Sequence, residues 1–158
     1  MVGYILFLKP GSTAVWGDVP IGESQGGISI HFNFTSEGLF NQRLSIPVDW
    51  SIISFRMEVS ASFIPFQPAM LEKFLFLAGV PTDWQKFPIL TGSNNVWQKL
   101  ELKGEVELPE KLLEIEIYKA VVSEVSEFTL GKEEAKITVR FQGLHSEEDN
   151  AVGRIRFV

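Results

Sequence analysis

The sequence of 158 residues contains no cysteine, so disulfide bonds, thiolate nucleophiles and cysteine-ligated metal sites are excluded. It has only two histidines, and no glycine-rich run is followed by the lysine and serine of a phosphate-binding loop. Basic residues are in the minority, and the formal net charge of −6 disfavours a nucleic-acid-binding surface. The apolar run at residues 4–8 is followed at once by Lys9 and Pro10, so it is too short for a signal sequence or a membrane span. We therefore expect a soluble, non-secreted protein with no membrane partner.

Apolar residues are abundant in this chain. They make up 45% of it and include 13 phenylalanines, which is enough for a sizeable core. The length suits one domain, and no internal repeat or linker divides the sequence. We expect a single β domain over residues 1–158, with a turn-rich N-terminal arm at 1–27 and a long loop or loose hairpin at 36–50.

Much of the chain alternates between apolar and polar residues with a period of two. This is the pattern of half-buried antiparallel strands. The longest regular run spans residues 53–63, and another spans residues 135–142. The same alternation covers residues 28–34, 100–108, 113–117 and 154–157. The pattern predicts a mainly β, antiparallel fold.

One helix is predicted, over about residues 68–78. Pro68 suits the first turn, where its missing N–H costs no hydrogen bond, and Gly79 suits the C-terminal end. Apolar residues recur between them at helical spacing, and Phe76 and Leu77 make the helix apolar on more than one side. We expect it to pack against a sheet or a neighbouring subunit.

The sequence contains only poor matches to the motifs of catalytic sites. Residues 22–26, Gly-Glu-Ser-Gln-Gly, match the spacing of a nucleophile elbow, but they precede a strand, where an elbow needs a helix. The carboxylates at 101–107 and 114–116 alternate as on a solvated sheet face, which is unlike a pair flanking a cleft. His145 lies near the acidic residues 147–149, with no second histidine at ligand spacing. We predict no enzyme activity, no catalytic residues, no cofactor and no metal site.

The four tryptophans indicate an alternative function. Trp16, Trp50, Trp84 and Trp97 lie in or beside segments expected to be loops, where their rings could stack on sugars. Exposed aromatic residues are equally typical of interface anchors. A carbohydrate-binding β-sandwich module therefore stays open as an alternative to a structural protein.

The second half of the chain carries a family resemblance. Residues 117–144 read IYKAVVSEVSEFTLGKEEAKITVRFQGL, in which short polar turns separate three strand-like runs at 117–123, 127–130 and 134–144, and an acidic turn follows at 147–149. This order resembles the major tail tube proteins of tailed bacteriophages, which are related to contractile-tail tubes and to the ring protein of type VI secretion. The resemblance is best over residues 97–158 and weaker over 28–79, while residues 1–27 do not align.

The resemblance implies an antiparallel two-sheet β-sandwich or barrel flanked by one helix, with no catalytic residues. In that family, six copies form a ring, and rings stack into the tail tube, the conduit for DNA ejection. The implied partners are further copies of the chain and other tail proteins, such as tape measure, terminator and baseplate or tip proteins. DNA would pass in transit without specific binding. The implied location is the virion tail, which is assembled in the host cytoplasm. The resemblance leaves open whether the protein is a tube, terminator or completion protein, and whether the tail is contractile or non-contractile.

Two sets of residues are candidates for the assembly. The segment 36–50 is too apolar for a free loop, and apolar surface usually marks a partner site. Its inter-subunit contact candidates are Leu39, Phe40, Leu44, Ile46 and Trp50. In the family, the polar faces of long strands look into the channel, and the Glu-rich segments 101–107 and 114–116 are competing candidates for that role. The preferred lumen-lining candidates are Ser29, His31, Asn33, Ser54, Arg56, Glu58, Ser60 and Ser62.

Overall fold

A computed structural model of the chain describes residues 2–41, 43, 45–64, 69–79, 81–88, 96–107, 110–129 and 136–158. Within these ranges the chain is mainly β and its strand pairs are antiparallel. The strands are β1 (Val2–Leu8), β2 (Thr13–Trp16), β3 (Val19–Phe40), β4 (Pro47–Ile64), β5 (Gln98–Val106), β6 (Lys111–Thr129), β7 (Lys136–Leu144) and β8 (Gly153–Phe157). The helix of the described residues is α1 (Ala69–Phe74).

The strand pairings return to their starting point. β2 lies between the first part of β3 and β5, β5 pairs with β6, and β6 pairs with β7. β7 then pairs with β4, and β4 pairs with β3 along most of its length. β1 is added beside β3, and β8 beside β6. The circuit is possible because β3 and β6, of 22 and 19 residues, change neighbours along their length.

A glycine marks the point where β3 changes its neighbours. The register with β4 shifts between Ser24 and Ile28, and Gly27 adopts a φ of 92° in this interval. A Cβ at Gly27 would meet the Phe7 ring and the Leu8 carbonyl, so any other residue would be both strained and obstructed. The close approach of β1 to β3 therefore depends on this glycine.

The core is built from the apolar side of each alternating strand. Ile28 and Ile30 of β3, Val59 of β4, Leu102 of β5 and Ile117 of β6 are all buried. Trp16 at the end of β2 is 1% exposed, and its indole N–H donates to the Ala120 carbonyl at 3.2 Å. The indole also lies 5.1 Å from the Phe74 ring and 5.5 Å from the Phe141 ring, measured between centroids. These contacts join β2, α1, β6 and β7 at one point.

The helix is shorter than the sequence predicts. It ends at Phe74 instead of residue 78, and Pro68 lies outside the described residues. Phe76 adopts a φ of 55°, and the Leu77 N–H donates back to the Glu72 carbonyl at 2.9 Å, which is a left-handed helix end. Phe74 and Phe76 pack against the core, so the apolar spacing beyond residue 74 reflects burial after the helix has ended.

Three other segments can be compared with expectation. Residues 2–27, predicted as a turn-rich arm, contain β1, β2 and the start of β3. Residues 36–50, predicted as a long loop or loose hairpin, belong mostly to a hairpin, because β3 continues to Phe40 and β4 begins at Pro47, with register shifts after Thr35 and Leu39. The polar break predicted after Ser123 is a pair of register irregularities within the continuous strand β6.

Candidate assembly surfaces

The lumen-lining candidates lie side by side on one face of neighbouring strands. In the pairing of β3 with β4, Ser29 is opposite Ser60 and His31 is opposite Glu58. Asn33 is likewise opposite Arg56. The intervening residues of both strands, such as Ile30 and Val59, are in the core, so the candidate side chains point away from it. We call this surface the polar face.

The polar face continues onto β7 and β6. The Ser62 and Thr138 hydroxyls are 2.7 Å apart across β4 and β7, and the Gln142 amide donates to the Met57 carbonyl at 3.3 Å. Farther along, Arg140 forms an ion pair with Glu124 of β6 at 3.3 Å. Four neighbouring strands therefore present one polar surface, from β3 through β4 and β7 to β6.

The polar face carries charges of both signs. Arg56 and Arg140 stand with Glu58 and Glu124, while Glu37 and Asp49 lie on the same side of the β3–β4 hairpin, opposite Ser51 and Leu39. Among these six residues the acidic ones outnumber the basic ones by four to two. This part of the surface is therefore mildly acidic, in the same sense as the formal net charge of −6 of the whole chain.

The contact candidates lie at the end of the hairpin that β3 and β4 form. Leu39 and Phe40 are exposed on β3, Ile46 is exposed in the connection, and Trp50 is 62% exposed on β4. Leu44 lies outside the described residues. The structure thus brings the described candidates together at one apolar tip.

More apolar residues are exposed on this hairpin than the sequence patterns suggested. Val48, Ile52, Ile53 and Phe55 are all exposed, although the alternation predicted that Ile53 and Phe55 face the core. The register shifts between Thr35 and Ser36 because Ile53 is an extra residue in β4. The apolar run at 52–53 and Trp50 were the available sequence signals of this surface.

One side of the hairpin continues the core face of the strands. Phe34 is paired with Phe55, and Ser36 is paired with Ile52. Trp50 is paired with Gly38, where a Cβ would meet the indole ring. We call this side the apolar hairpin face, which consists of Phe34, Phe40, Trp50, Ile52 and Phe55.

Among the strand edges that lack a partner within the described residues, two border the polar face. The outer edge of β1 has no strand partner there, and neither do residues 121–129 of β6 on the side away from β7. Tyr4, Ile5 and Phe7 of β1 are exposed at the first edge, and Val125 is exposed near the second. Unpaired edges with apolar side chains favour pairing with another chain.

A ladder of ion pairs covers the outer side of β5, β6 and β8. Arg156 contacts Glu114 at 2.7 Å, and Arg154 contacts Glu116 at 2.9 Å. The Arg156 hydrogen bond lowers the pKa of the Glu114 carboxyl from its usual value. The Glu101 carboxylate, 3.1 Å from the Lys99 ammonium, raises the pKa of that lysine. In the competing Glu-rich segments, Glu101, Glu114 and Glu116 are therefore each paired with a neighbouring cation.

Apart from Trp50, the other residues that the sequence singled out lie away from these surfaces. Ser24 of the Gly-x-Ser-x-Gly segment is 3% exposed inside β3. Trp16 is buried, Trp50 is on the hairpin and Trp84 is in the loop at 81–88. Trp97 lies under the Lys119 ammonium, 4.7 Å from its ring centroid. Within the described residues, no group of three or more His, Asp or Glu could hold a metal ion.

No protein-family model matches the chain, and no curated protein is detectably similar to it. Of the helices in the described residues, none has the length and apolar character needed to cross a membrane.

Proposed function

We propose that this chain is a structural virion protein that self-assembles into hexameric rings, stacked as the tail tube of a bacteriophage or a related injection machine. The observation that carries the proposal is the polar face, a broad strand surface that ends in two unpaired edges. The strands around it form a two-sheet sandwich or barrel, and α1 is the flanking helix.

Strand pairing between copies is the physical basis of the ring. The edge of β1 in one copy can pair with residues 121–129 of β6 in the next, which removes both free edges at once. The polar faces of successive copies then lie along one inner wall, with Ile5 and Phe7 of β1, which stand opposite His31 and Ser29, between them. Small hydroxyl side chains such as Ser29, Ser60 and Ser62 give this wall a smooth surface for passing DNA.

The hairpin supplies contacts in a second direction. Its tip exposes Leu39, Phe40, Ile46 and Trp50, and apolar surface of this extent favours a protein partner over water. In a stacked tube, this partner is a subunit of the neighbouring ring. Tape measure, terminator and tip proteins would contact the inner wall and the ends of the stacked tube.

The tryptophan positions give little support to a carbohydrate-binding module. Trp16 is in the core, and Trp84 and Trp97 line different surface depressions. Sugar-binding platforms need aromatic rings that share one surface. Trp50 belongs to the hairpin, where assembly accounts for its exposure.

Light scattering and negative-stain electron microscopy of one purified sample test the proposal. We expect the mass to rise with concentration and the images to show hollow six-fold rings or tubes. A strict monomer at every concentration, whose tryptophan fluorescence is quenched by glycans, would contradict the proposal and favour the sugar-binding alternative.

A further inference from the structure

An apolar cleft opens at the base of the β3–β4 hairpin. Its volume is about 340 Å³, and one wall consists of Phe32, Phe55 and Met57. The opposite wall includes Ile115, His145, Val152 and Ile155. The cleft is therefore bounded by the hairpin strands on one side and by β6, β8 and the turn before β8 on the other.

The cleft is a gap at one end of the core, between apolar walls that the described side chains do not fill. Met57 and Ile115 are buried at its inner end, while Phe55 and Ile155 stay exposed at its mouth. Ile155 is directly opposite Ile115 in the β6–β8 pairing, so it belongs to the core side of β8. Apolar walls that remain in contact with water are stabilised when an apolar group enters between them.

The same chain carries an apolar insert of suitable size. Beyond its base, the hairpin exposes Leu39, Phe40, Ile46, Val48, Trp50, Ile52 and Ile53. If each offers on the order of 100 Å², these seven side chains supply on the order of 700 Å², close to the roughly 800 Å² that each partner buries in a stable specific interface.

A copy cannot place its own hairpin tip in its own cleft. Phe34 and Phe55 are paired at the base of the hairpin, and Phe40 lies farther along the same continuous strand. At about 3.3 Å per residue, six residues carry the tip about 20 Å away from the base. The occupant must therefore come from another molecule, and a second copy presents the matching tip.

We propose that the hairpin tip of one copy inserts into the cleft of the next copy, between β8 and the base of that copy's hairpin. The inference rests on the proposed function and deepens it, because it names the acceptor on the partner subunit. Donor and acceptor are different surfaces, so the contact is head-to-tail and repeats from copy to copy. Each subunit is thus donor to one neighbour and acceptor to another.

Cysteine cross-linking tests this arrangement without background, because the natural chain has no cysteine. Ile46→Cys places a thiol on the exposed tip, and His145→Cys places one on the exposed rim of the cleft. We expect a short thiol-bridging reagent to give covalent dimers when the two single variants are mixed, and little product from either variant alone. Glu105→Cys, on the exposed side of β5, replaces His145→Cys as the matched control and should give no dimer with Ile46→Cys.

The double variant Ile46→Cys/His145→Cys decides between head-to-tail and reciprocal contacts. A ladder of trimers and larger species supports the inference, whereas products that stop at the dimer overturn the head-to-tail contact. If tubes form under the microscope but the mixed variants do not cross-link, the cleft is not the acceptor and the proposed function stands. If neither tubes nor cross-links form, both are overturned.

Discussion

At the scale of single residues, Trp16 connects parts of the chain that are distant in sequence. Its indole packs between the rings of Phe74 and Phe141 and donates a hydrogen bond to the buried Ala120 carbonyl. The sequence predicted that this tryptophan belongs to a loop, since Gly17 and Asp18 follow it directly. Its burial depends on β5, β6 and β7, which pair long after it in the chain, so local pattern could not reveal it.

Trp16→Phe should lower the free energy of unfolding by about 2–4 kcal/mol. The smaller ring leaves a cavity, and the Ala120 carbonyl loses its indole partner. Urea unfolding followed by circular dichroism measures the change. The matched control is Trp84→Phe, whose parent side chain is 95% exposed and which should change stability by less than about 0.5 kcal/mol. Equal losses in the two variants would contradict the central role of Trp16.

Phe76 has an unfavourable backbone conformation, but the packing of its side chain against the core is favourable. Its φ of 55° is a conformation that glycine adopts freely, while its ring packs against the core. Both Phe76→Ala and Phe76→Gly should be less stable than the natural chain. We expect Phe76→Gly to be more stable than Phe76→Ala by about 1 kcal/mol, because only the backbone cost differs between them. Thermal unfolding of the two variants side by side checks the order, which an extended backbone at this position would reverse.

At the scale of elements, the alternating strands were the most predictable part of the fold. Residues 53–63 and 113–117 each lie within a strand, because a half-buried strand shows its burial directly as a period of two. The N-terminal segment was misread since Gly11, Gly17, Gly22 and Gly27 resemble an irregular arm. All four have positive φ; Gly11 and Gly17 lie in turns between strands, whereas Gly22 and Gly27 lie within β3.

The strand β8 is held to β6 by ion pairs, and the pair of Arg156 with Glu114 makes stability depend on pH. Arg156 lowers the pKa of Glu114 in the folded state, so this carboxylate stabilises the fold at pH values above its ordinary pKa of 4.5. The contribution is lost as the pH falls through the lower pKa of the folded state.

Glu114→Gln should therefore be less stable than the natural chain at neutral pH, and the difference should shrink as the pH falls below about 4.5. Urea unfolding at a series of pH values measures it. Added salt should also reduce the difference, because the pair is exposed to solvent. Glu105→Gln, whose side chain is exposed on β5, is the control, and a difference that grew in acid would exclude the Arg156 pairing as the cause.

At the scale of the whole molecule, the candidate surfaces were only partly predictable. The shared face of the lumen candidates was predictable because small polar side chains recur on two strands, and the structure aligns them across the β3–β4 pairing. The sequence predicted only part of the apolar hairpin face. A single extra residue at Ile53 changes which side chains share a face, and no alternation pattern reports such an insertion. The closed pairing circuit depends on contacts between distant segments and has no local signature.

Deletion of residues 38–47 should abolish tubes and leave a folded monomer. The deletion removes most of the exposed tip but keeps Glu37 opposite Ser51, with Val48–Trp50 as a short connection between them. Electron microscopy measures assembly, and circular dichroism confirms the fold. Trp84→Ala is the control for loss of an exposed aromatic side chain and should still form tubes. Tubes formed by the deletion variant would show that the tip is dispensable.

The closed pairing circuit also has a consequence for the order in which the chain can fold during synthesis. β2 needs β5, since Thr13 pairs with Lys103, and β4 needs β7, since Ala61 pairs with Val139. The β3–β4 hairpin can form as soon as it leaves the ribosome, whereas the circuit waits until nearly the whole chain has been translated. Each nascent chain thus exposes the apolar side chains of this hairpin before its core is complete. We expect neighbouring chains on one messenger RNA to be most prone to associate during that interval.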